Sequence, residues 1–354
     1  MAQVKKKLVY VGLSGGVDSA LSAAILKDKG YDVVGVFIET WHPNFLPCTW
    51  KDDRREAMRA AAYLDIPFIS LDLSEKYRVE VGEYFIEEYA KGRTPNPDVM
   101  CNRSIKFGGF ADFARTRGAD FVATGHYAGI VQKDGRHYIT ASPDVKKDQS
   151  YFLWMLTEDD IAFALFPLQG MTKEEVRREA KRRGLPQATR KDSQGICFLG
   201  AVDLPEFLSK FIPLSEGVVL DEKGTKVGTH KGAALYTVGE RHGFSVSDTA
   251  LRKDPLYVLS TNIKENTITV GTLLRVPVYT SIQLSSTNLR GGLEGMKLEA
   301  LVRYHGARSR CTVTDVGQVY TVNFEEPVSV APGQSVVLYN GNLIVGGGVV
   351  KALT

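Results

Sequence analysis

The chain has 354 residues, 44% of them hydrophobic and 24% charged, with a net charge of +3. That length is too great for one ordinary core, so two or three domains are expected, and no apolar run approaches the ~20 residues a membrane helix needs. Four widely spaced cysteines with no CxxC pair argue against a structural zinc site and a disulfide framework and fit a reducing cytoplasm, while the small positive balance permits a polyanionic partner without demonstrating one.

The basic start "MAQVKKK" runs into an apolar stretch that lasts only from 8 to 13 and lacks a small-residue cleavage site, so it is read as a first strand and not a signal peptide. Up to residue 205, short apolar runs alternate with helical periods. "KLVYVGL", "YDVVGVFIE", "PFISLDL" and "ADFVATGHY" are nearly continuous in apolar character, as strands buried on both faces are. Between them, helices are predicted over 17–29, 52–64, 75–91 and 102–118. The alternation predicts an α/β domain with a doubly wound parallel sheet. From about residue 216 the texture changes to short alternating segments punctuated by Gly, Asn and Pro, with hairpin signals at "DEKG" and "YNGN" and two strands of a small barrel joined at Pro332 and Gly333. The expected division is 1–205 an α/β domain, 206–279 central and β-rich, and 280–354 a C-terminal β-barrel.

The stretch "GLSGGVDSA" carries the first chemistry. A strand that ends in Ser-Gly-Gly and feeds a helix near Val17 gathers unpaired N–H groups around a space without Cβ atoms, which is an anion cradle. Ser14 and Ser19 add hydroxyl donors, and Asp18 beside bound phosphates makes sense with a bridging Mg²⁺. The Lys of a Walker P-loop and the spacing of GxGxxG are both missing. Among the cysteines, Cys101 falls where a helix N-terminus is predicted, so the helix dipole with Arg103 and Lys106 should depress its thiol. Cys197 sits in a glycine-containing loop flanked by Arg190 and Lys191. Cys48 and Cys311 read as small buried hydrophobes. Asp98, three residues before Cys101, is either a general acid/base or a helix N-cap. The run "VRREAKRRG" is either a phosphate rail or a solvated helix face.

SGGVDS after a first strand resembles the pyrophosphate loop of the N-type ATP pyrophosphatases, the PP-loop enzymes with a HUP-like fold. The resemblance implies cleavage of ATP between its α- and β-phosphates, a strand order of 3-2-1-4-5, and an ATP site formed by Gly12, Leu13, Ser14, Gly15, Gly16, Val17, Asp18 and Ser19, with Ile38 packing on adenine and Gly125 opposite the loop. Across nearly the whole chain, "NPDVMCN", "TGHY", "KDQSYFL", "KDSQGICF", "YTVGERHGF" and "PGQSVVLYNG" look very like the signature blocks of the bacterial tRNA 2-thiouridylase family. That likeness implies ATP, with Mg²⁺, adenylating the 2-oxo group of the wobble uridine. Cys197 would carry a persulfide received from a sulfur-relay protein or a cysteine desulfurase. Cys101 would resolve it, by disulfide formation or by releasing sulfide, with Asp98 moving protons. It also implies tRNA contacts at Asn96, Pro97, Asp98, His126, Lys147, Asp148, Gln149, Arg303, Tyr304 and Gln334, with the target base splayed out of its stack. No protein-held metal and no membrane partner are expected.

The sequence departs from the family's usual pattern at Ala20, Ile38, Glu240 and Gln194, where serine, methionine, glutamine and threonine are common, and none of these removes a proposed chemical group. Two other readings stay open: a PP-loop pyrophosphatase acting on a small substrate, such as an amidating ligase, and a non-catalytic RNA-binding relative.

Overall fold

The computed structural model describes residues 5–46, 50–192, 195, 197, 200, 203–247 and 254–353. The expectations placed on Cys48 and Gln194 lie outside them. The chain forms two compact units, one of residues 1–82, 97–201 and 342–345, the other of 83–96, 202–341 and 346–354.

The first unit is built on β1 (Leu8–Gly12), α1 (Val17–Asp28), β2 (Asp32–Glu39), α2 (Trp50–Tyr63), β3 (Phe68–Asp72) and α3 (Ser74–Tyr77), followed by a π-helical stretch Arg78–Glu83 that leads into α4 (Tyr84–Ala90). Next come α5 (Pro97–Cys101), the π-helical stretch Asn102–Gly109, α6 (Phe110–Thr116), β4 (Phe121–Ala123), the hairpin β5 (Gly129–Lys133) and β6 (Arg136–Thr140), α7 (Glu158–Phe163), β7 (Ala164–Leu165) and α8 (Lys173–Arg182). Five strands pair in the order β3-β2-β1-β4-β7, all parallel, with Val9 opposite Val33 on one side and Phe121 on the other. This is the doubly wound order the resemblance implied. At the start of β18 (Leu343–Leu353), Leu343 pairs with Thr140 of the hairpin.

Helix α1 is rich in Ala and Ser because both of its sides are covered. Ala23 and Leu26 join the core above β1 and β2 with Val9, Val11 and Phe37, while Ala20, Leu21 and Ala24 pack on Val176, Ala180 and Leu185. Small side chains let the helix sit close to both layers.

Two predicted elements are corrected. The helix expected from 102 begins five residues earlier at Pro97, where proline's missing N–H is harmless in a first turn, and continues through Cys101 into the π-helical stretch and α6. Cys101 therefore lies inside a continuous helical run, away from any N-terminus. The fourth strand stops at Ala123, so Gly125 to Tyr127 lie beyond the sheet.

The second unit contains α4, α9 (Leu204–Leu208, capped by Asp203) and two β assemblies. Strands β8 (Gly217–Leu220), β9 (Lys226–His230), β10 (Phe244–Val246), β11 (Tyr257–Asn262) and β12 (Thr267–Gly271) make a sheet in the order β10-β9-β8-β12-β11. Strands β13 (Tyr279–Leu289), β14 (Leu298–Leu301), β15 (Ser309–Val316), β16 (Val319–Val328), β17 (Ser335–Asn340) and the remainder of β18 form a barrel, closed by antiparallel pairing of β13 with β18. Closure removes the exposed edges a small sheet would otherwise present. Cys311 is buried in this barrel at 2% exposure, and burial pushes its thiol up to about 12. It is the inert core cysteine the sequence suggested.

Candidate functional site

The loop between β1 and α1 is anchored from below. Leu13 is 2% exposed and its N–H donates to the Val36 carbonyl at 2.7 Å, which fixes the strand's exit. Ser19 closes the loop internally: its hydroxyl donates to the Gly16 carbonyl at 3.1 Å and accepts the Ser14 N–H at 3.2 Å. Ser19 is 4% exposed, so of the two hydroxyls expected to face an anion only that of Ser14 is exposed. Gly16 precedes the helix in extended conformation with no side-chain cap, which leaves the first-turn N–H groups of α1 for an outside acceptor. Ile38 is buried at 6% exposure at the end of β2.

Charges converge on this loop from sequence-distant segments. The Lys173 ammonium donates to both carboxylate oxygens of Asp18 at 2.8 Å and lies 2.9 Å from Asp192. Asp192 also pairs with Lys147 at 2.8 Å and with Arg177 at 2.5 Å. Burial opposes ionisation of Asp192, but the hydrogen bonds from Lys147 and Lys173 outweigh it and hold the carboxyl at about 2. Tyr127 donates its hydroxyl to Asp18 at 2.6 Å, and burial together with that carboxylate pushes the phenol far up. Arg190 donates to the Gly15 carbonyl at 2.7 Å and to Asp53 at 2.6 Å. The segment leading to Cys197 is thus tied to the loop through Arg190 and Asp192. Asp18 already has an ammonium and a phenol as partners, so a Mg²⁺ arriving with nucleotide would have to compete with them.

The second cluster lies in the same unit. The Cys101 thiol donates to the Cys197 sulfur across 3.5 Å. Asp98 stands in the first turn of α5 and accepts the backbone N–H of Cys197 at 3.1 Å, while the Tyr77 hydroxyl donates to the Cys197 carbonyl at 2.7 Å. The side-chain hydrogen bond of Asp98 thus goes to the cysteine loop. The expected lowering of the Cys101 thiol is not what the structure shows. Burial and the neighbouring sulfur push Cys101, fully buried, well above the ordinary thiol range, and no helix N-terminus acts on it. Cys197 is instead lowered, by the hydrogen bond from Cys101 against the cost of burial and by the Lys106 ammonium. Burial raises Asp98 above the usual carboxylate range, with Lys106 opposing. His126 is 6% exposed, with Nδ1 2.7 Å from the Thr124 hydroxyl and Nε2 3.5 Å from the Lys106 ammonium, and burial and that ammonium lower it well below its ordinary value.

Several residues expected at an RNA surface make internal contacts. Besides the Lys147 pair, the Asp148 carboxylate accepts the N–H groups of Ser142 and Ser150, and Gln149 accepts that of Tyr127. In the second unit, Asn96 accepts the Ser335 N–H at 2.8 Å and Gln334 donates to the Thr94 carbonyl at 3.2 Å. Arg303 is exposed on the tight turn between β14 and β15, where the Tyr304 ring stacks on His305 at 3.9 Å. Of the basic run in α8, Arg177, Arg178, Arg182 and Arg183 pair with carboxylates, which supports the solvated-face reading over the rail.

Family models match three consecutive parts of the chain: a tRNA methyl transferase HUP domain over residues 7–201, a tRNA methyl transferase PRC-barrel domain over 205–272, and an aminomethyltransferase beta-barrel domain over 280–350. The chain is 40% identical to the tRNA-specific 2-thiouridylase MnmA of Streptococcus thermophilus, across 99% of this chain and 96% of that one. It is 40% identical to the protein of the same name from Staphylococcus carnosus, across 96% and 94%. The chain belongs to the tRNA-specific 2-thiouridylase family. A likeness to the solved U34-tRNA thiolase NcsA from Methanococcus maripaludis, at 17% identity and a TM-score of 0.36 over 58% of this chain and 67% of that one, is too slight to carry an argument.

Against the family's blocks, the residues that sequence reading missed are Tyr77, Lys173 and Asp192, together with the role of Tyr127. Tyr77 reaches Cys197 across 120 positions and Lys173 reaches Asp18 across 155. The one local signal was "MTKEE", which marks a capping box in which Thr172 and Glu175 exchange hydrogen bonds and set the start of α8, and hence the height of Lys173. Among the described residues, no helix is long and apolar enough to cross a membrane.

Proposed function

We propose that this chain thiolates carbon 2 of a tRNA wobble uridine, consuming ATP and releasing AMP and pyrophosphate. The 2-oxo group is urea-like and leaves poorly, so it is first adenylated. The exposed Ser14 hydroxyl and the free N–H groups at the start of α1 hold the phosphates, with Mg²⁺ arriving as part of the nucleotide substrate. A persulfide on Cys197, received from a persulfide donor in the cytoplasm, then attacks carbon 2 and AMP departs. Cys101 attacks the Cys197 sulfur, either to liberate the thiolated base and leave a disulfide or, earlier, to release sulfide that itself attacks. Both routes need the same nucleophile against the same sulfur, and the 3.5 Å separation of the two thiols is the observation that carries the reading. Asp98, buried and raised, is suited to hand protons to the pyrimidine or the thiol. Arg303, Tyr304, Asn96 and Gln334 of the second unit would contribute tRNA contacts.

A mixture of the protein, ATP, a persulfide donor and unmodified tRNA should yield 2-thiouridine detectable by nucleoside mass spectrometry. Cys197→Ser should abolish it; full thiolation by that variant would defeat the mechanism. A small-substrate ligase would release pyrophosphate without tRNA. It would also use neither cysteine, and nothing in the geometry favours that alternative.

A further inference from the structure

The proposed chemistry requires two neighbouring cysteines to behave differently, one accepting sulfur and the other waiting protonated. A pair of identical thiols 3.5 Å apart has no intrinsic reason to do so. The hydrogen bond from Cys101 to Cys197 already favours charge on Cys197, and the surroundings must reinforce that direction.

Lys106 lies five residues beyond Cys101 on the same helical run. In a regular α-helix residues five apart point to different sides, but the stretch Asn102–Gly109 is π-helical, and its i→i+5 pairing brings positions 101 and 106 nearly into line. Gly108 helps permit that winding, because a Cβ there would stand 2.9 Å from the Arg103 carbonyl oxygen, itself backbone and five residues back. The result is a lysine whose ammonium makes a side-chain hydrogen bond to Cys197 and sits 3.5 Å from His126 Nε2. An ammonium has donors only, so the Nε2 it approaches presents its lone pair, and the imidazole proton is on Nδ1, toward Thr124. A neutral His126 cannot share the cationic role.

We propose that Lys106 is a catalytic residue of the sulfur-uptake step: its ammonium, turned onto the cysteine face by the π-helical stretch, stabilises the negative charge of the Cys197 sulfur acceptor, a charge that the hydrogen bond from Cys101 also favours. In that step the Cys197 thiolate attacks the outer sulfur of a donor persulfide. A new S–S bond forms at Cys197 as the donor's S–S bond breaks, and the donor leaves as a thiolate carrying the electron pair. The persulfide's proton stays on the transferred sulfur. The other titratable groups facing Cys197 are Asp98 and Cys101 on the same helical run and Tyr77 on α3, with His126 behind Lys106. Among the described residues, the cation acting on Cys197 is Lys106. Its own charge is secured by the same neighbours: burial would lower it, but Cys197, Cys101 and Asp98 raise it. This assignment rests on the proposed sulfur transfer for its meaning, but the thiol asymmetry is measurable without tRNA or ATP.

The test is iodoacetamide alkylation of the reduced full chain at pH 6–10, with each cysteine followed by peptide mass spectrometry. In the native chain Cys197 should react before Cys101. Its profile should move up by at least one pH unit in Lys106→Gln and return in Lys106→Arg, each compared with a circular-dichroism melt. A one-unit rise lowers the thiolate fraction tenfold at a fixed pH below it, and the more basic thiolate regains about threefold in intrinsic reactivity. Uptake of one sulfur atom from glutathione persulfide by Cys197 should then slow about threefold. Cys101 reacting first in the native chain would overturn the proposal whether or not any variant folds, as would an unmoved Cys197 profile in a folded Lys106→Gln. If the thiols behave as stated but tRNA is never thiolated, the functional reading fails and this assignment stands.

Discussion

Gly12 and Gly125 flank the loop between β1 and α1, and a single methyl group separates their roles. At Gly12 the nearest atoms to an added Cβ are Phe110 Cε1 at 3.7 Å and the Ala123 oxygen at 3.8 Å, which is ordinary contact. At Gly125 the same methyl would lie 2.8 Å from both the Asp18 carbonyl carbon and the Ser19 nitrogen. Those atoms are backbone in the first turn of α1, so the turn itself must move. Overpacking of this kind costs about 1–3 kcal/mol. For a unit of roughly 200 residues each kcal/mol moves Tm by about 2–4 °C, so Gly125→Ala should melt about 2–12 °C lower. Gly12→Ala fits its space and loses unfolded-state entropy, so it should match or slightly exceed the native Tm. The displaced turn is also the one whose N–H groups would hold phosphate. Added ATP should therefore raise the Tm of the native chain and of Gly12→Ala, and raise that of Gly125→Ala much less. Differential scanning fluorimetry with and without ATP decides it. Two variants that melt together and respond equally to ATP would refute the reasoning.

Lys173→Met removes one of the cations that hold Asp192 at about 2, below its ordinary 3.8. A depressed carboxyl contributes stability above its unfolded pKa and loses it as pH falls toward the folded value. The variant should lose about 1 kcal/mol at pH 7 once partial exposure of the network is allowed for, and the gap should narrow below pH 4; urea midpoints from pH 7 down to pH 3 check this, and a gap that stays constant would contradict it. Asn96→Ala leaves the N–H of Ser335, a residue 2% exposed, without its acceptor and should cost about 1–3 kcal/mol by chemical denaturation in the absence of RNA. An unchanged midpoint would mean that water replaces the amide.

The parallel sheet was legible because strands buried on both faces leave little room for polar residues: the pattern of β2 is six buried positions in succession, and its sequence, DVVGVFIE, shows it. The helical run around the cysteines was legible as a helix but not as a π-helical one. Its start was set five residues late, at 102, although a proline such as Pro97 suits the first turn of a helix. That displacement carried a chemical consequence. A cysteine placed at an N-terminus gains a dipole that lowers its thiol, whereas one inside the run, walled in at 0% exposure, is pushed up. The reactive polarity of the pair therefore depended on five residues of helix boundary, which local propensity does not resolve.

What sequence could not supply at all is long-range. The side chains that hold the Cys197 carbonyl and tie down Asp18 arrive from separations of 120 and 155 residues and follow no period. The basic run of α8 leaves two readings open from sequence alone. Five basic residues suggest an RNA rail until their carboxylates are counted, and Glu175 and Glu179 were already in view three and four positions before the arginines they neutralise. An arginine held by its own helix has given up much of its attraction for phosphate, so RNA affinity should depend less on that run than on exposed, unneutralised groups such as Arg303.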